Sequence, residues 1–188
     1  LSEAGWKDSN GDGTLDMVIN GEKTDLKIEF IVNAGNDSRK QAALVFQEEA
    51  RKVGITVNVS SQDWSVYLDN LKKHNFEMYY GVWVSTPTPD DPKQLFHTES
   101  ARNDGSNYVN FGNANTDALI DSLRVELNED LRAEMNKRLQ RIIYDETPYI
   151  FLWAPNERLT IHKRFANAEP SVMRPGFWEA GFKVASAE

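Results

Sequence analysis

The chain has 188 residues, of which 40% are apolar, so it can bury the core of one large domain or two small ones. Its formal net charge is −8, and no basic patch is present, which argues against nucleic acids and anionic membrane surfaces as partners. Cysteine is absent, which excludes disulfides, thiolate metal sites and cysteine nucleophiles.

The first residues indicate that the chain is part of a longer protein. It begins with Leu1 instead of Met, and residues 1–5 have the pattern of a helix end that stops at Gly5. We therefore expect any targeting signal to lie in a preceding part of the polypeptide. No apolar run in the sequence approaches the length of a membrane span.

An acidic, glycine-rich segment follows and admits two interpretations. Its oxygen-bearing side chains fall where a calcium-binding loop requires them, at Asp8, Asn10, Asp12 and Asp16. The last ligand position holds Ile19 instead of a bidentate Glu, which favours a tight acidic turn in which Gly11 and Gly13 adopt positive φ angles. The alternative is a calcium-dependent binding module that uses the Asp8 to Asp16 loop.

Three apolar strands and two amphipathic helices alternate over residues 26–83. The strands are predicted at residues 26–32, 55–59 and 76–83, and the helices begin at a capping box at Ser38 and at Asp63. The first helix is expected to bury Ala42, Val45, Phe46, Ala50 and Val53. Right-handed crossovers give a parallel sheet with covering helices, and its strands end on one edge, where such sheets hold ligands.

The third strand leads into a polar loop with three prolines, and this is the candidate ligand-facing surface. Trp83 either lines a cleft at the strand end or fills space in the core. Tyr108 and Phe111 either stack on a ligand or form the inner face of a short strand. The candidate ligand-binding residues are Trp83, Val84, Ser85, Thr86, Asn107 and Tyr108.

The remaining residues predict two more helices and a buried strand. Asn115 or Thr116 is expected to cap one helix and Asn128 the next, which ends before Pro148. The apolar run at residues 149–153 predicts a buried strand, and residues 158–161 could pair with it.

Nothing in the sequence predicts catalysis. His74, His97 and His162 lie in different elements, and none has a serine nucleophile or metal-ligand spacing beside it. No glycine-rich phosphate loop follows a strand. We therefore expect a protein that is not an enzyme and has no cofactor or metal, and a hydrolase with an unrecognised site remains the enzymatic alternative.

A series of segments, spread over nearly the whole chain, is similar to one known family. In order and spacing they resemble the C-terminal lobe of the extracytoplasmic solute-binding proteins of ABC transporters, in the oligopeptide, dipeptide and nickel class. The segments are residues 1–8, 49–55, 83, 91–92, 106–111, 113, 117–120, 139–143 and 146–150.

The resemblance implies an α/β fold, a lobe like that of a type II periplasmic binding protein with a mostly parallel sheet flanked by helices. It implies that residues 1–188 form a single domain, that the N-terminal lobe is absent, and that the two lobes close on a peptide or similar small solute. A membrane permease would receive the solute from an extracytoplasmic monomer, either periplasmic or anchored as a lipoprotein. Peptide-binding members carry an aspartate three residues after the strand-ending tryptophan, where this sequence has Thr86.

Overall fold

The computed structural model describes residues 1–84, 91–102, 105–154, 156, 158–171 and 176–185. These residues form two compact units. The first comprises Leu1–Trp83 and Glu99–Asn110, and the second comprises Val84–Thr98 and Phe111–Glu188. None of the helices in the described ranges is long and apolar enough to cross a membrane.

A parallel sheet forms the centre of the first unit. A hairpin of β1 (Asp16–Ile19) and β2 (Glu22–Asp25) precedes it. The sheet itself contains β3 (Lys27–Asn33), β4 (Thr56–Gln62) and β5 (Met78–Tyr79) in the order β4-β3-β5, and both pairings are parallel. The predicted parallel three-stranded sheet is therefore confirmed.

Two helices connect these strands and cover the two faces of the sheet. Helix α1 (Asp37–Arg51) links β3 to β4, and α2 (Trp64–Lys72) links β4 to β5. Because side chains alternate along β3, its buried residues serve two separate clusters. The cluster on the α1 side contains Phe30, Val32, Ala43, Ala50, Val57 and Tyr80. The cluster on the α2 side contains Ile31, Tyr67 and Leu71.

The predicted start and buried face of α1 need correction. The cap is Asn36, whose side chain accepts a hydrogen bond from the Arg39 amide at 3.1 Å, so the capping box predicted at Ser38 is wrong. Val45 and Val53, predicted to be buried, are exposed. Ala50 is buried as predicted, Ala42 and Phe46 are partly buried against the same cluster, and Ala43, seven residues before Ala50, is buried in addition.

Strand β5 is shorter than the predicted strand at residues 76–83. Only Met78 and Tyr79 pair with β3, although the Tyr80 amide still donates to the Ile31 carbonyl at 3.1 Å. The Tyr80 carbonyl accepts a hydrogen bond from the Tyr67 hydroxyl. This side-chain contact takes the place of the next ladder hydrogen bond, and residues 80–84 continue without strand pairing.

The described part of the second unit contains the helices α3 (Lys93–Phe96), α4 (Ala114–Val125) and α5 (Glu129–Glu146). Asn113 caps α4 in a reciprocal capping box with Thr116, two residues before the earlier of the two predicted caps, so that prediction is wrong. Asn128 caps α5, as predicted. The buried apolar side chains of this unit are Phe111, Leu119, Ile120, Leu123, Leu139 and Ile143.

The predicted buried strand at residues 149–153 is wrong. This segment forms no strand, and Ile150 and Phe151 are 69% and 71% exposed. Residues 158–161 form no strand either. Continuous apolar residues are typical of a strand that is covered on both faces. Tyr149 packs edge to face on Phe96, but residues 150–153 are each more than half exposed, so the segment lacks that cover in the described part of this unit.

Candidate functional site

The carboxyl ends of β3 and β4 carry a network of side-chain amides. The Asn33 side chain accepts a hydrogen bond from the Arg39 guanidinium at 2.5 Å. Next to it, the Ala34 backbone N–H donates to the Gln62 backbone carbonyl at 2.7 Å. The Gln62 side chain accepts from Asn70 at 2.9 Å. As predicted, the two strand ends meet on one edge, where polar side chains hold them together.

Beyond β5, the aromatic ring of Trp83 stacks on that of Tyr108. The ring centroids are 5.9 Å apart and the planes differ by 24°. Trp83 is 43% exposed, and Tyr108 is half-buried. Of the two interpretations of Trp83, a core position is excluded for this conformation, since a large part of its surface faces solvent.

Further aromatic residues support this pair from within the unit. Tyr79 meets Tyr108 edge to face at 6.2 Å, and Phe76 meets Tyr79 in the same way at 5.0 Å. Such edge-to-face contacts bring the positive edge of one ring to the negative face of the next and fix their orientation. The pair of Trp83 and Tyr108, hereafter the aromatic wall, is therefore a partly exposed surface that rests on the packed rings of Tyr79 and Phe76.

The other predicted ligand-binding residues fall into three different situations. Asn107 is 0% exposed, and its backbone N–H donates a hydrogen bond to the Ser100 backbone carbonyl at 3.0 Å. This position suits a role in holding the backbone next to Tyr108. Val84 is exposed. Ser85 and Thr86 lie outside the described residues. Phe111 is buried and packs edge to face on Phe96, as expected of a core residue.

The Tyr67 hydroxyl lies beneath this region and remains protonated over the physiological range. Burial raises the pKa of Tyr67 to about 12, and this effect outweighs the opposing influence of the Arg39 charge. A protonated phenol is a hydrogen-bond donor, which is the role that the Tyr80 carbonyl requires of it.

In the acidic loop, the carboxylates accept hydrogen bonds from the loop itself. Asp8 accepts from the amides of Gly11 at 2.7 Å and Gly13 at 2.9 Å. Asp16 accepts from the Ser9 amide at 3.0 Å, and this bond, with help from the Ser9 hydroxyl and Lys23, lowers the pKa of Asp16. In the described ranges, no group of three or more acidic, histidine or cysteine side chains could hold a metal ion. The geometry favours the acidic turn.

Sequence reasoning misses two residues that the structure brings to the aromatic wall. The pattern around Tyr79 predicts only a strand. His74 has no sequence motif beside it, but its ring contacts the segment that carries Tyr108. The position of His74 in the sequence does indicate an unusual backbone. It follows the end of α2, where the residue after a helix often adopts the left-handed conformation, as His74 does.

The family model for the bacterial extracellular solute-binding proteins, family 5 middle region, matches residues 1–106. The chain is 34% identical over 164 residues to the oligopeptide-binding protein AppA of Bacillus subtilis, and the match covers 86% of this chain and 29% of that protein. The structure of AppA from Bacillus subtilis in complex with a nonapeptide matches 99% of this chain and 36% of that chain, with 27% identity and a TM-score of 0.79.

An oligopeptide-binding protein from Thermus thermophilus, complexed with a pentapeptide, matches 79% of this chain and 27% of that chain, with 25% identity and a TM-score of 0.69. These similarities confirm the resemblance and the fold class, an α/β lobe of the periplasmic-binding-protein type II kind. The chain spans less than a third of the curated relative, 29% of its length.

Proposed function

Because this chain belongs to family 5 of the bacterial extracellular solute-binding proteins, we propose that it is part of the substrate-binding component of an ABC importer. Its role is to capture a peptide or similar small solute for delivery to a membrane permease. It does so by binding alone, without catalysis. Two observations support a peptide as the solute. A similar protein is named an oligopeptide-binding protein, and two similar solved structures are complexes with a nonapeptide and a pentapeptide.

The observation that carries the proposal is the partly exposed aromatic wall beyond the end of β5. Stacked aromatic rings offer a large, rigid apolar surface at low entropic cost, which suits a solute that must be bound and later released. The wall is formed by Trp83 and Tyr108. Val84, Ser85 and Thr86 follow directly in the chain, and we propose that they complete the contact with hydroxyl and backbone groups.

The residue at position 86 narrows the ligand chemistry. Threonine offers a hydroxyl and no charge, so it cannot form an ion pair with a peptide's α-ammonium group, as the aspartate of peptide-binding members does. We therefore propose a solute that is held mainly through stacking and neutral hydrogen bonds. A peptide remains compatible if another carboxylate binds its ammonium group.

We propose that residues 1–188 are the C-terminal lobe of a two-lobe protein, and that the N-terminal lobe lies outside them. The chain's share of its relatives' length supports this, as does the exposure of Ile150 and Phe151, which further polypeptide could cover. Closure of two lobes would bury the solute and exclude water from it. A monomeric, extracytoplasmic protein, periplasmic or lipid-anchored, would present the solute to the permease.

Native mass spectrometry of the full-length protein tests the proposal. The protein is purified gently, and any solute released on unfolding is identified. The stripped protein is then titrated by calorimetry with a pentapeptide and a nonapeptide. Recovery of peptides, or binding of either probe, supports the peptide assignment. Release of a single non-peptide solute would support the solute-binding role but assign a ligand class other than peptides. A protein that releases nothing and binds neither probe contradicts the proposal.

A further inference from the structure

The His74 ring bridges two backbone carbonyl groups of the segment that carries Tyr108. Its Nδ1 atom lies 2.8 Å from the Tyr108 oxygen, and its Nε2 atom lies 2.9 Å from the Ala101 oxygen. His74 is half-buried and has a φ of 53°, in the left-handed region that a β-carbon disfavours. The backbone at the end of α2 thus adopts an uncommon conformation, and the ring lies between the two carbonyls.

A carbonyl oxygen can only accept a hydrogen bond, so each ring nitrogen of His74 must donate for both contacts to be favourable. A neutral imidazole has one N–H donor and one lone pair, whereas the imidazolium ion has two donors. In the neutral ring, one nitrogen lone pair would face a carbonyl oxygen at no more than 2.9 Å, which is repulsive. Both contacts are therefore favourable together only in the protonated ring.

Among the described residues, the neutral ring has an alternative partner on one side only. The Asn110 side-chain nitrogen lies 3.3 Å from Nδ1 and can donate to it once that nitrogen carries a lone pair. A neutral ring that keeps its Nε2 hydrogen bond to Ala101 would then exchange Tyr108 for Asn110. The contact with Tyr108 is accordingly the one that depends on protonation.

Charged residues of both signs lie on the elements around the ring. Glu29 and Glu77 line the same cavity as His74, with a volume of about 360 Å³, and the Glu77 carboxylate accepts from the Glu29 amide at 2.5 Å. Lys73 is engaged by Asp69 at 2.8 Å. The charged residues of the neighbouring elements are Asp69, Lys72 and Lys73 around the end of α2, and Glu99 and Arg102 in the bridged segment.

We propose that His74 is a positioning residue that, when protonated, holds the backbone of Tyr108 so that its ring stays stacked on Trp83. This inference rests on the proposed role of the aromatic wall in ligand binding. It adds that the arrangement of the wall depends on whether the His74 ring carries one proton or two, because only the doubly protonated ring can donate to both carbonyls. Solute binding should accordingly be tighter when the ring is protonated than when it is neutral.

The first test needs no ligand. The full-length protein is labelled with ¹⁵N in tryptophan and histidine, and the Trp83 indole signal is followed by NMR while the pH is raised until the His74 ring loses a proton. We expect the Trp83 signal to move with the His74 ring signals, because the ring current of Tyr108 changes as the stack loosens. A stationary Trp83 signal during this titration, or a His74 ring that carries one proton even at about pH 5, would overturn the inference.

Two variants separate this effect from general pH sensitivity. Asn tolerates the left-handed conformation but is too short to bridge both carbonyls, so His74→Asn should fold and abolish the pH response of Trp83. The matched control is His162→Asn, since His162 is exposed and lies in the second unit. In this control, Trp83 should respond to pH as it does in the wild type. An unchanged response in His74→Asn would overturn the inference even if the wild type behaves as expected.

A binding measurement then links the wall to the ligand. Calorimetry with penta-alanine should show roughly threefold to tenfold tighter binding when His74 is protonated, the effect of one hydrogen bond. Comparison with His74→Asn removes the titration of the peptide's own termini. Equal pH dependence in the two proteins would overturn the effect on binding. Failure of penta-alanine to bind at any pH, with Trp83 still following His74, would count against the proposed peptide ligand and leave the positioning role supported.

Discussion

The Tyr67 hydroxyl donates a buried hydrogen bond of 2.7 Å to the carbonyl oxygen of Tyr80. This bond ties α2 to the point where the chain leaves β5, shortly before Trp83. Tyr67 is 2% exposed and also stacks on Trp64, with ring centroids 5.7 Å apart. The position of the aromatic wall thus depends on one side chain of α2 as well as on the sheet.

Replacement of Tyr67 by Phe should destabilise the protein by about 1 kcal/mol, the usual net value of one hydrogen bond. The ring volume is kept, so the loss reports the missing donor to the Tyr80 carbonyl. Urea unfolding provides the measurement, and Tyr144→Phe is the control because Tyr144 is largely exposed. Equal stability of both variants would show that the Tyr67 hydroxyl contributes nothing.

The raised pKa of Tyr67 predicts a loss of stability in strong base. The folded value is about 12, whereas an ordinary tyrosine in the unfolded chain titrates near pH 10. The folded state therefore retains the proton longer than the unfolded state, so this contribution is complete below about pH 10 and disappears as the pH rises toward about 12. Unfolding free energies measured across this window should fall less steeply in Tyr67→Phe. The same slope in both proteins would contradict this assignment.

Gly54 should not tolerate a β-carbon. It has a φ of +79°, and a β-carbon placed there would lie 2.6 Å from Cγ of Leu15. Gly35 has nearly the same φ, +78°, but nothing within 4 Å of that position.

Gly35→Ala should therefore lose about 1–2 kcal/mol through backbone strain alone, and Gly54→Ala should lose more because Leu15 must also move. Thermal or urea unfolding of the two variants compares them directly. An equal loss would mean that the contact with Leu15 is relieved at no cost.

Calcium should leave the stability of the protein unchanged. The carboxylates of Asp8 and Asp16 already accept hydrogen bonds from the loop's own donors, so an ion would have to displace them. Melting temperatures in calcium, in magnesium at equal ionic strength and in a chelator should agree. A saturable rise with calcium alone, lost in Asp12→Asn, would instead establish the calcium-binding interpretation, since ligand binding to the native state raises stability by mass action.

The sheet of the first unit is predictable from the sequence because its signals are local and redundant. Alternation over residues 26–32 marks β3, and short connections with two amphipathic helices make a parallel order the simplest arrangement. Boundaries are less predictable. Ser38 and Asn36 both satisfy the chemistry of a cap, and only the backbone geometry shows that Asn36 accepts the hydrogen bond.

The errors arise where a distant contact overrides the local pattern. Alternation extends the third strand to Trp83, but the Tyr67 hydroxyl takes the Tyr80 carbonyl and ends the ladder. Residues 149–153 have the composition of a buried strand, yet burial depends on a covering surface that the sequence of one segment cannot specify. In the same way, Trp83 is recognisable as a candidate, whereas its stacking on Tyr108 and the bridge from His74 depend on the folded chain.

The most direct test of the central claim is the affinity of full-length protein for its solute, or for a pentapeptide, with Trp83→Ala compared with Trp178→Ala. Trp83 belongs to the aromatic wall, whereas Trp178 is exposed in the second unit and has no assigned part in binding. We predict that Trp83→Ala weakens binding about tenfold or more, as removal of a stacking aromatic contact does, and that Trp178→Ala leaves it unchanged. Equal affinities of the wild type and Trp83→Ala would contradict the assignment of this surface as the ligand-binding wall.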